Sequence, residues 1–283
     1  IATISKVTDD IVKTVAPEVE SVYIPHAVDS EIFKPVDEKI ISDYKRDTLK
    51  AAGNDEKFVF FWNNRNARRK QSGSLLFWFK ELLDRVGKDK ACMIMHTDPK
   101  DPHGQDLAKI LEETGLDNGE VMFSTNKFPS EQLALMYNMA DCTINVSDAE
   151  GFGLATLESL SCGTPIIATM TGGLQEQVTD GKNYFGIGLE PASKAIIGSQ
   201  DIPWIYEDRL DGEDVINAMQ EMIEMDPEQR KHLGEAGRKH VQENYNFKDF
   251  NESWVALIEK LVKEHGSWED RKKYKAWTLE EMS

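Results

Sequence analysis

The sequence predicts an α/β fold, a parallel sheet flanked by helices, and three observations carry that reading. Short apolar runs alternate with amphipathic stretches of helical period, the order that βαβ units produce. Helix start and stop residues fall at the junctions between them. A glycine-containing turn, Glu150-Gly151-Phe152-Gly153, leads from one apolar run straight into a helix-like one. In chain order the apolar runs predict strands at 58–62, 91–96, 120–124, 142–146, 165–169 and 184–187. Helices are expected at 72–86, 104–114, 130–139, 154–161, 173–179, 212–224, 227–243 and 247–265. Pro129-Ser130-Glu131 reads as a Ser cap with acid in the first turn, and Asp226-Pro227-Glu228 as an Asp cap with Pro at the first helical position. Gly163 and Gly181 fit helix ends. In the helix at 154–161, Leu154, Leu157 and Leu160 form the expected buried face, with Glu158 on its flank. The stretch 190–211 has no clear period and is expected to be an irregular excursion. A parallel sheet of this kind holds ligands at the C-terminal edge of its strands.

Composition narrows the function class. The 283 residues suffice for one large or two modest domains, and 40% hydrophobic content supports a core. No 18-residue apolar run suggests a membrane span. A net charge of −17 argues against a general nucleic-acid binder, yet leaves room for a local basic anion site. Cys92, Cys142 and Cys162 lie far apart in apolar surroundings, which reads as buried reduced thiols in a cytosolic protein. The chain begins at Ile1 without a visible signal peptide, so an upstream segment stays open.

The most informative stretch is Glu150-Gly151-Phe152-Gly153-Leu154-Ala155-Thr156-Leu157-Glu158. Eight helical residues separate two carboxylates by about 12 Å at the ordinary rise. That exceeds the ~5–9.5 Å of carboxylates sharing one hydrolytic centre. It suits two carboxylates holding opposite ends of an elongated ligand. Between them a helix N-terminus, approached closely through Gly151 and Gly153, suits an anion. A ligand with hydroxyls at each end and phosphate between is a nucleotide sugar. A second constellation, Asn63-Asn64-Arg65-Asn66-Ala67-Arg68-Arg69-Lys70, places four cations just after a predicted strand in an otherwise acidic chain. It reads either as a solvated basic loop or as a diphosphate site. Thr171-Gly172-Gly173-Leu174 reads equally as a simple turn or as a contact to donor sugar or phosphate. His96-Thr97-Asp98-Pro99-Lys100-Asp101-Pro102-His103 tempts a metal reading, but its prolines and lack of a regular framework disfavour one. Gly151-x-Gly153-x-x-Thr156 mimics the dinucleotide fingerprint only in part, with Thr in the third position.

Taken in order, these motifs resemble the retaining, GT-B-type glycosyltransferases of group 1 (family 4). Supporting residues are Ser5-Lys6-Val7-Thr8, Ile24-Pro25-His26-Ala27-Val28-Asp29 with Phe33-Lys34-Pro35, Ala140-Asp141, Gly163-Thr164-Pro165, Gly172-Gly173 and Asp180-Gly181. The resemblance covers most of residues 1–260. It implies a Rossmann-like C-terminal half of a GT-B fold, with 1–28 the tail of an N-terminal acceptor domain plus linker. Residues 29–265 would form the donor domain, and 266–283 a terminal helix crossing back to the acceptor domain, which is missing from this chain. It implies Arg65 and Lys70 on the diphosphate, Arg68 and Arg69 at the surface, Glu150 by the donor sugar and Glu158 on the ribose. Gly151, Phe152, Gly153, Leu154, Gly172 and Gly173 would line the donor site, with Lys127 and Phe128 in the base-contacting loop Thr125–Pro129. Asn64 stands where the family usually has Gly. The implied reaction moves a hexose from a UDP- or GDP-sugar to an unknown acceptor (glycan, lipid-linked sugar or protein) without bound metal or cofactor. A nucleotide-sugar epimerase, a phosphorylase-like enzyme and a non-catalytic nucleotide-sugar-binding module are the alternatives. A cytoplasmic location is expected, with peripheral membrane contact through the missing domain left open.

Overall fold

The computed structural model describes residues 1–267 and 269–270. The chain opens with a small βαβ unit in which β1 (Ala2–Thr3) and β2 (Val22–Tyr23) pair in parallel around α1 (Lys6–Val15). Helix α2 (Glu38–Leu49) follows, its first N–H groups capped by the Asp37 carboxylate. The main sheet consists of β3 (Phe58–Asn63), β4 (Ala91–His96), β5 (Val121–Ser124), β6 (Cys142–Asn145), β7 (Ile166–Thr169) and β8 (Gly186–Leu189). All its neighbours pair in parallel, in the order β5-β4-β3-β6-β7-β8. This is the doubly wound, Rossmann-like arrangement, whose strand order reverses between β3 and β6.

Both faces of the sheet are covered, so the strands are apolar throughout rather than alternating. The period of two instead sorts side chains between two cores. Phe60, Trp62, Met93 and Met95 join Leu75, Leu76, Phe79, Met219 and Met222 on one face. Val59, Phe61, Cys92 and Ile94 join Tyr137, Leu157 and Leu160 on the other. The first face is roofed by α3 (Ser72–Val86) and α8 (Gly212–Glu224), with α4 (Leu107–Thr114) beside α3. The second is roofed by α5 (Ser130–Met139), α6 (Leu154–Ser161) and α9 (Pro227–Asn244), with the short α7 (Gln175–Val178) between β7 and β8. Helix α10 (Phe247–His265) buries no residue fully and shows Val255, Ile258, Leu261 and Val262 to solvent.

Several expectations are corrected. The stretch 190–211 is not irregular: β9 (Ser193–Ile197) and β10 (Ile205–Arg209) form an antiparallel hairpin within it. The cap of α5 is Pro129 rather than Ser130, with no side-chain bond. The helix expected from 104 begins at Leu107, after an Asp106 cap. The helix expected at 173–179 divides into a 3-10 turn, Gly172–Leu174, and α7. Leu154 is exposed, so the buried face of α6 runs through Leu157 and Leu160 instead. Gly163 does follow the end of α6, whereas Gly181 lies in a turn closed by the Thr179–Tyr184 bridge. The Asp226 cap of α9 is present. The segment 266–283, expected to form a terminal helix, lies largely outside the described residues. Among the described residues no helix is long and apolar enough to cross a membrane.

Candidate active site

The loops after β3 and β6 leave adjacent strands in opposite winding directions and meet at the C-terminal edge of the sheet. The Asp148 N–H donates to the Arg69 carbonyl at 2.7 Å, and Ser147 Oγ donates to the same carbonyl at 3.2 Å. Across this seam the Lys70 ammonium contacts Glu150 Oε2, and Arg69 reaches the same oxygen at 3.4 Å. Lys70 is buried, and burial pushes its ammonium below the ordinary lysine range while Glu150 pulls it back. Each loop ends at a helix without a side-chain cap. Helix α3 follows Gln71, a non-glycine residue at φ 48°, and α6 follows Gly153 at φ 93°. First-turn N–H groups of two helices therefore face a common edge with no side chain assigned to them.

A buried polar frame fixes the Gly151–Gly153 turn. Gln177 Nε2 donates to the Phe152 carbonyl at 2.7 Å, and Thr156 Oγ1 donates to Gln177 Oε1 or the Gly153 carbonyl, each at 2.7 Å. Phe152 is buried edge-on against His26 and Tyr245, so the segment after β2 also meets the turn. Gly172 and Gly173 pack onto this backbone. A Cβ on Gly172 would stand 1.6 Å from the Glu150 carbonyl oxygen, and the Gly173 N–H donates to the Gly151 carbonyl. Their role in the structure is thus to let the β7 loop close on the Glu150 turn, a third reading beside the two the sequence offered.

Glu158 lies one and a half turns into α6. Tyr137 donates its hydroxyl to Glu158 Oε2 at 2.7 Å, and burial pushes the carboxyl up to about 7. Arg65 stands apart from Lys70. Its guanidinium is exposed and bonded to Asp101 at 2.7 and 3.2 Å and to His103 at 2.7 Å, holding the Asp101 carboxyl well below the usual range. Arg68 and Arg69 are half exposed, but neither is idle. Arg68 pairs with Glu207 of β10 and with Asp148, and Arg69 donates to the Ala149 carbonyl. Lys127 and Phe128 lie in the loop after β5, where Phe128 stacks on His96 at 4.9 Å. The histidines of the 96–103 stretch are thereby engaged, His96 also with Ser124 Oγ at 2.9 Å. Among the described residues no cluster of three or more His, Cys, Asp or Glu is placed to hold a metal.

The structure therefore gathers Lys70, Glu150, Gly151–Gly153 and Gly172–Gly173 into one seam. Glu158 and the Lys127–Phe128 loop occupy neighbouring elements, and Arg65 is turned toward the loop after β4. Sequence reading missed Tyr137, Gln177 and Glu207, whose partners are distant in the chain. An open depression lined by Lys6, Asp180, Tyr184, His232 and His240 contains none of the residues expected to bind the donor.

Sheet order and paired loops define a doubly wound α/β protein whose switch point carries the Lys70–Glu150 contact and two helix N-termini. The family model for glycosyl transferases group 1 matches residues 46–240, and the chain belongs to that family. It is 27% identical over 241 residues to alpha-1,3/1,6-mannosyltransferase ALG2 of Dictyostelium discoideum, covering 81% of this chain and 50% of that protein. It is 36% identical over 106 residues to the D-inositol 3-phosphate glycosyltransferase of Corynebacterium jeikeium, 36% of this chain and 25% of the relative. The chain spans at most about half the length of these curated relatives. Sucrose-phosphate synthase from Thermosynechococcus elongatus superposes with TM-score 0.71 at 22% identity, covering 93% of this chain and 58% of that one. Anabaena HepE in complex with UDP-glucose does so with TM-score 0.72 at 17% identity, covering 92% and 63%. The fold is that of GT-B glycosyltransferases.

Proposed function

We propose that the chain is the donor-binding half of a retaining glycosyltransferase that moves a hexose from a UDP- or GDP-linked sugar to an acceptor hydroxyl. The observation that carries this reading is the Lys70–Glu150 contact across the switch-point seam, beside two uncapped helix N-termini. Lys70 and the N–H groups of α6 would hold the diphosphate. Arg65 would join them by exchanging its bidentate Asp101 partner for phosphate oxygens, which the exposure of its guanidinium permits. Glu150 would meet the sugar hydroxyls and the positive charge developing at the anomeric carbon. Glu158 would accept from the ribose hydroxyls, with the Lys127–Phe128 loop beside the base. The bond from the anomeric carbon to the diphosphate breaks as the acceptor oxygen attacks the same face, and the acceptor's proton passes to the departing phosphate oxygen. Stabilising that leaving group is the largest service the seam would provide. A hexose donor is supported by the relatives' names, one a mannosyltransferase and one bound to UDP-glucose. The acceptor site would lie mostly in sequence outside this chain.

Thermal shift with UDP, GDP, ADP and their sugars tests the reading. A ligand selective for the folded state must raise Tm, by an amount that identifies the base. No shift with any diphosphate at millimolar concentration would contradict a donor site in this chain.

A further inference from the structure

Tyr137 is fully buried in α5, and its ring is clamped edge-on by Phe61 at 5.2 Å and Phe33 at 6.1 Å. Its carbonyl accepts from Thr164 Oγ1 at 2.7 Å, fixing the backbone as well. Asn63, the last residue of β3, donates Nδ2–H to the Tyr137 hydroxyl oxygen at 2.8 Å. A phenol has one proton to give, so with Asn63 donating, that proton points at Glu158 Oε2, 2.7 Å away. Three elements thus converge to orient one carboxylate oxygen.

We propose that Tyr137 is a positioning residue for nucleotide recognition: held by Asn63, it pins Glu158 Oε2 so that Oε1 is presented to a ribose hydroxyl in the charged form. The inference rests on the reading of Glu158 as the ribose acceptor. Burial favours the neutral carboxyl, and the Tyr137 bond opposes it by favouring the carboxylate. The other groups near Glu158 do not replace that bond. Cys162 on its own helix is a thiol that burial keeps protonated. Arg238 of α9 spends its guanidinium on the Ser161 carbonyl at 2.7 Å. Without the tyrosine hydroxyl, the carboxyl should ionise only at higher pH and lose its fixed rotamer.

The experiment compares Kd values for a nucleoside diphosphate and its 2′,3′-dideoxy form, using whichever of UDP and GDP binds more tightly. The ratio is measured from about pH 5.5 to about pH 9. In the wild type it should rise through about pH 7 as Glu158 ionises, to roughly tenfold or more, the scale of a hydrogen bond to a charged group. In Tyr137→Phe the rise should move to higher pH by on the order of one unit, with the ratio at neutral pH cut several-fold. Because both ligands are measured on one sample, an unfolded fraction cancels from the ratio. Asn63→Ala carries the same prediction with a smaller displacement, and decides the matter if Tyr137→Phe does not fold. An unchanged pH profile in the variants, with discrimination intact in the wild type, would overturn the positioning role and leave the ribose reading standing. No discrimination in the wild type at any pH would overturn the ribose reading and this inference with it.

Discussion

Glu158 should be visible in stability before any ligand is added. Its folded carboxyl titrates at about 7 against an ordinary 4.5, so the folded state prefers it protonated. The sign follows: stability falls as pH rises from 4.5 to about 7 and is flat above. Glu158→Gln removes that loss. Its Tm should exceed the wild-type Tm at about pH 8 by on the order of ten degrees, since a carboxyl moved from 4.5 to about 7 is worth about 3 kcal/mol at ~2–4 °C per kcal/mol, and match it near the ordinary carboxylate pKa. Calorimetric scans at both pH values check this, and a pH-independent difference would refute it. Gly172 gives the opposite case. It sits at φ 51°, and an added Cβ would stand 1.6 Å from the Glu150 carbonyl oxygen. Gly172→Ala should therefore destabilise by about 1–3 kcal/mol or more and weaken donor binding, because the Glu150 turn must shift. Unchanged Tm and affinity would show that the β7 loop does not brace the turn.

At the scale of elements, the hairpin β9–β10 braces the basic loop. Glu207 takes the Arg68 guanidinium, Arg209 reaches Asp148 at 3.1 Å, and the Asp208 N–H donates to the Asp148 carbonyl at 2.8 Å. The Arg68 bond holds Glu207 below the usual carboxylate range. The contribution of that pair is therefore present above about pH 4.5 and lost as pH falls through the folded value. Glu207→Gln should loosen the loop, seen as faster amide exchange at Arg68–Gln71 and a few-fold weaker diphosphate binding. Unchanged exchange there would assign the hairpin no part in shaping the site. This hairpin was illegible in sequence because its strands are joined by the long loop 198–204 rather than a two-residue turn, and show no buried stripe. Helix α2 escaped for a different reason: Ile40, Ile41, Tyr44 and Leu49 are sparse among its charged residues, so its apolar stripe is weak in the sequence. Helices α3, α8 and α10 and the buried strands β3 and β4 were legible because apolar runs or stripes dictate them. Glu150 and Glu158 could be singled out because one local motif carries both, and Lys70 through the resemblance of its loop to a known pattern. Tyr137 and Glu207 could not, since their partners lie 21 and 139 residues away.

At the scale of the molecule, the chain belongs to the glycosyl transferases group 1 family but spans only part of its relatives. Helix α10 leaves Val255, Ile258, Leu261 and Val262 exposed, and α1 leaves Ile11 and Val15 exposed. These apolar faces accord with the proposal that a second half completes the enzyme. Holding two substrates together can contribute ~7–11 kcal/mol to a bimolecular step, which half a cleft largely forfeits. The 283-residue chain should bind donor yet transfer sugar poorly, with slow donor hydrolysis at most. Efficient, saturable transfer by the purified chain would overturn that division. The most direct test of the account is calorimetric titration of UDP and GDP against the wild type, Lys70→Ala, Glu158→Ala and Glu150→Ala. Saturable binding of one of them is expected, weakened roughly tenfold or more in Lys70→Ala and Glu158→Ala by loss of a charge-assisted contact. Glu150→Ala should bind bare nucleotide at least as well as the wild type, because Lys70 is then free for phosphate. Equal losses in all three variants, or no binding by the wild type, would contradict it.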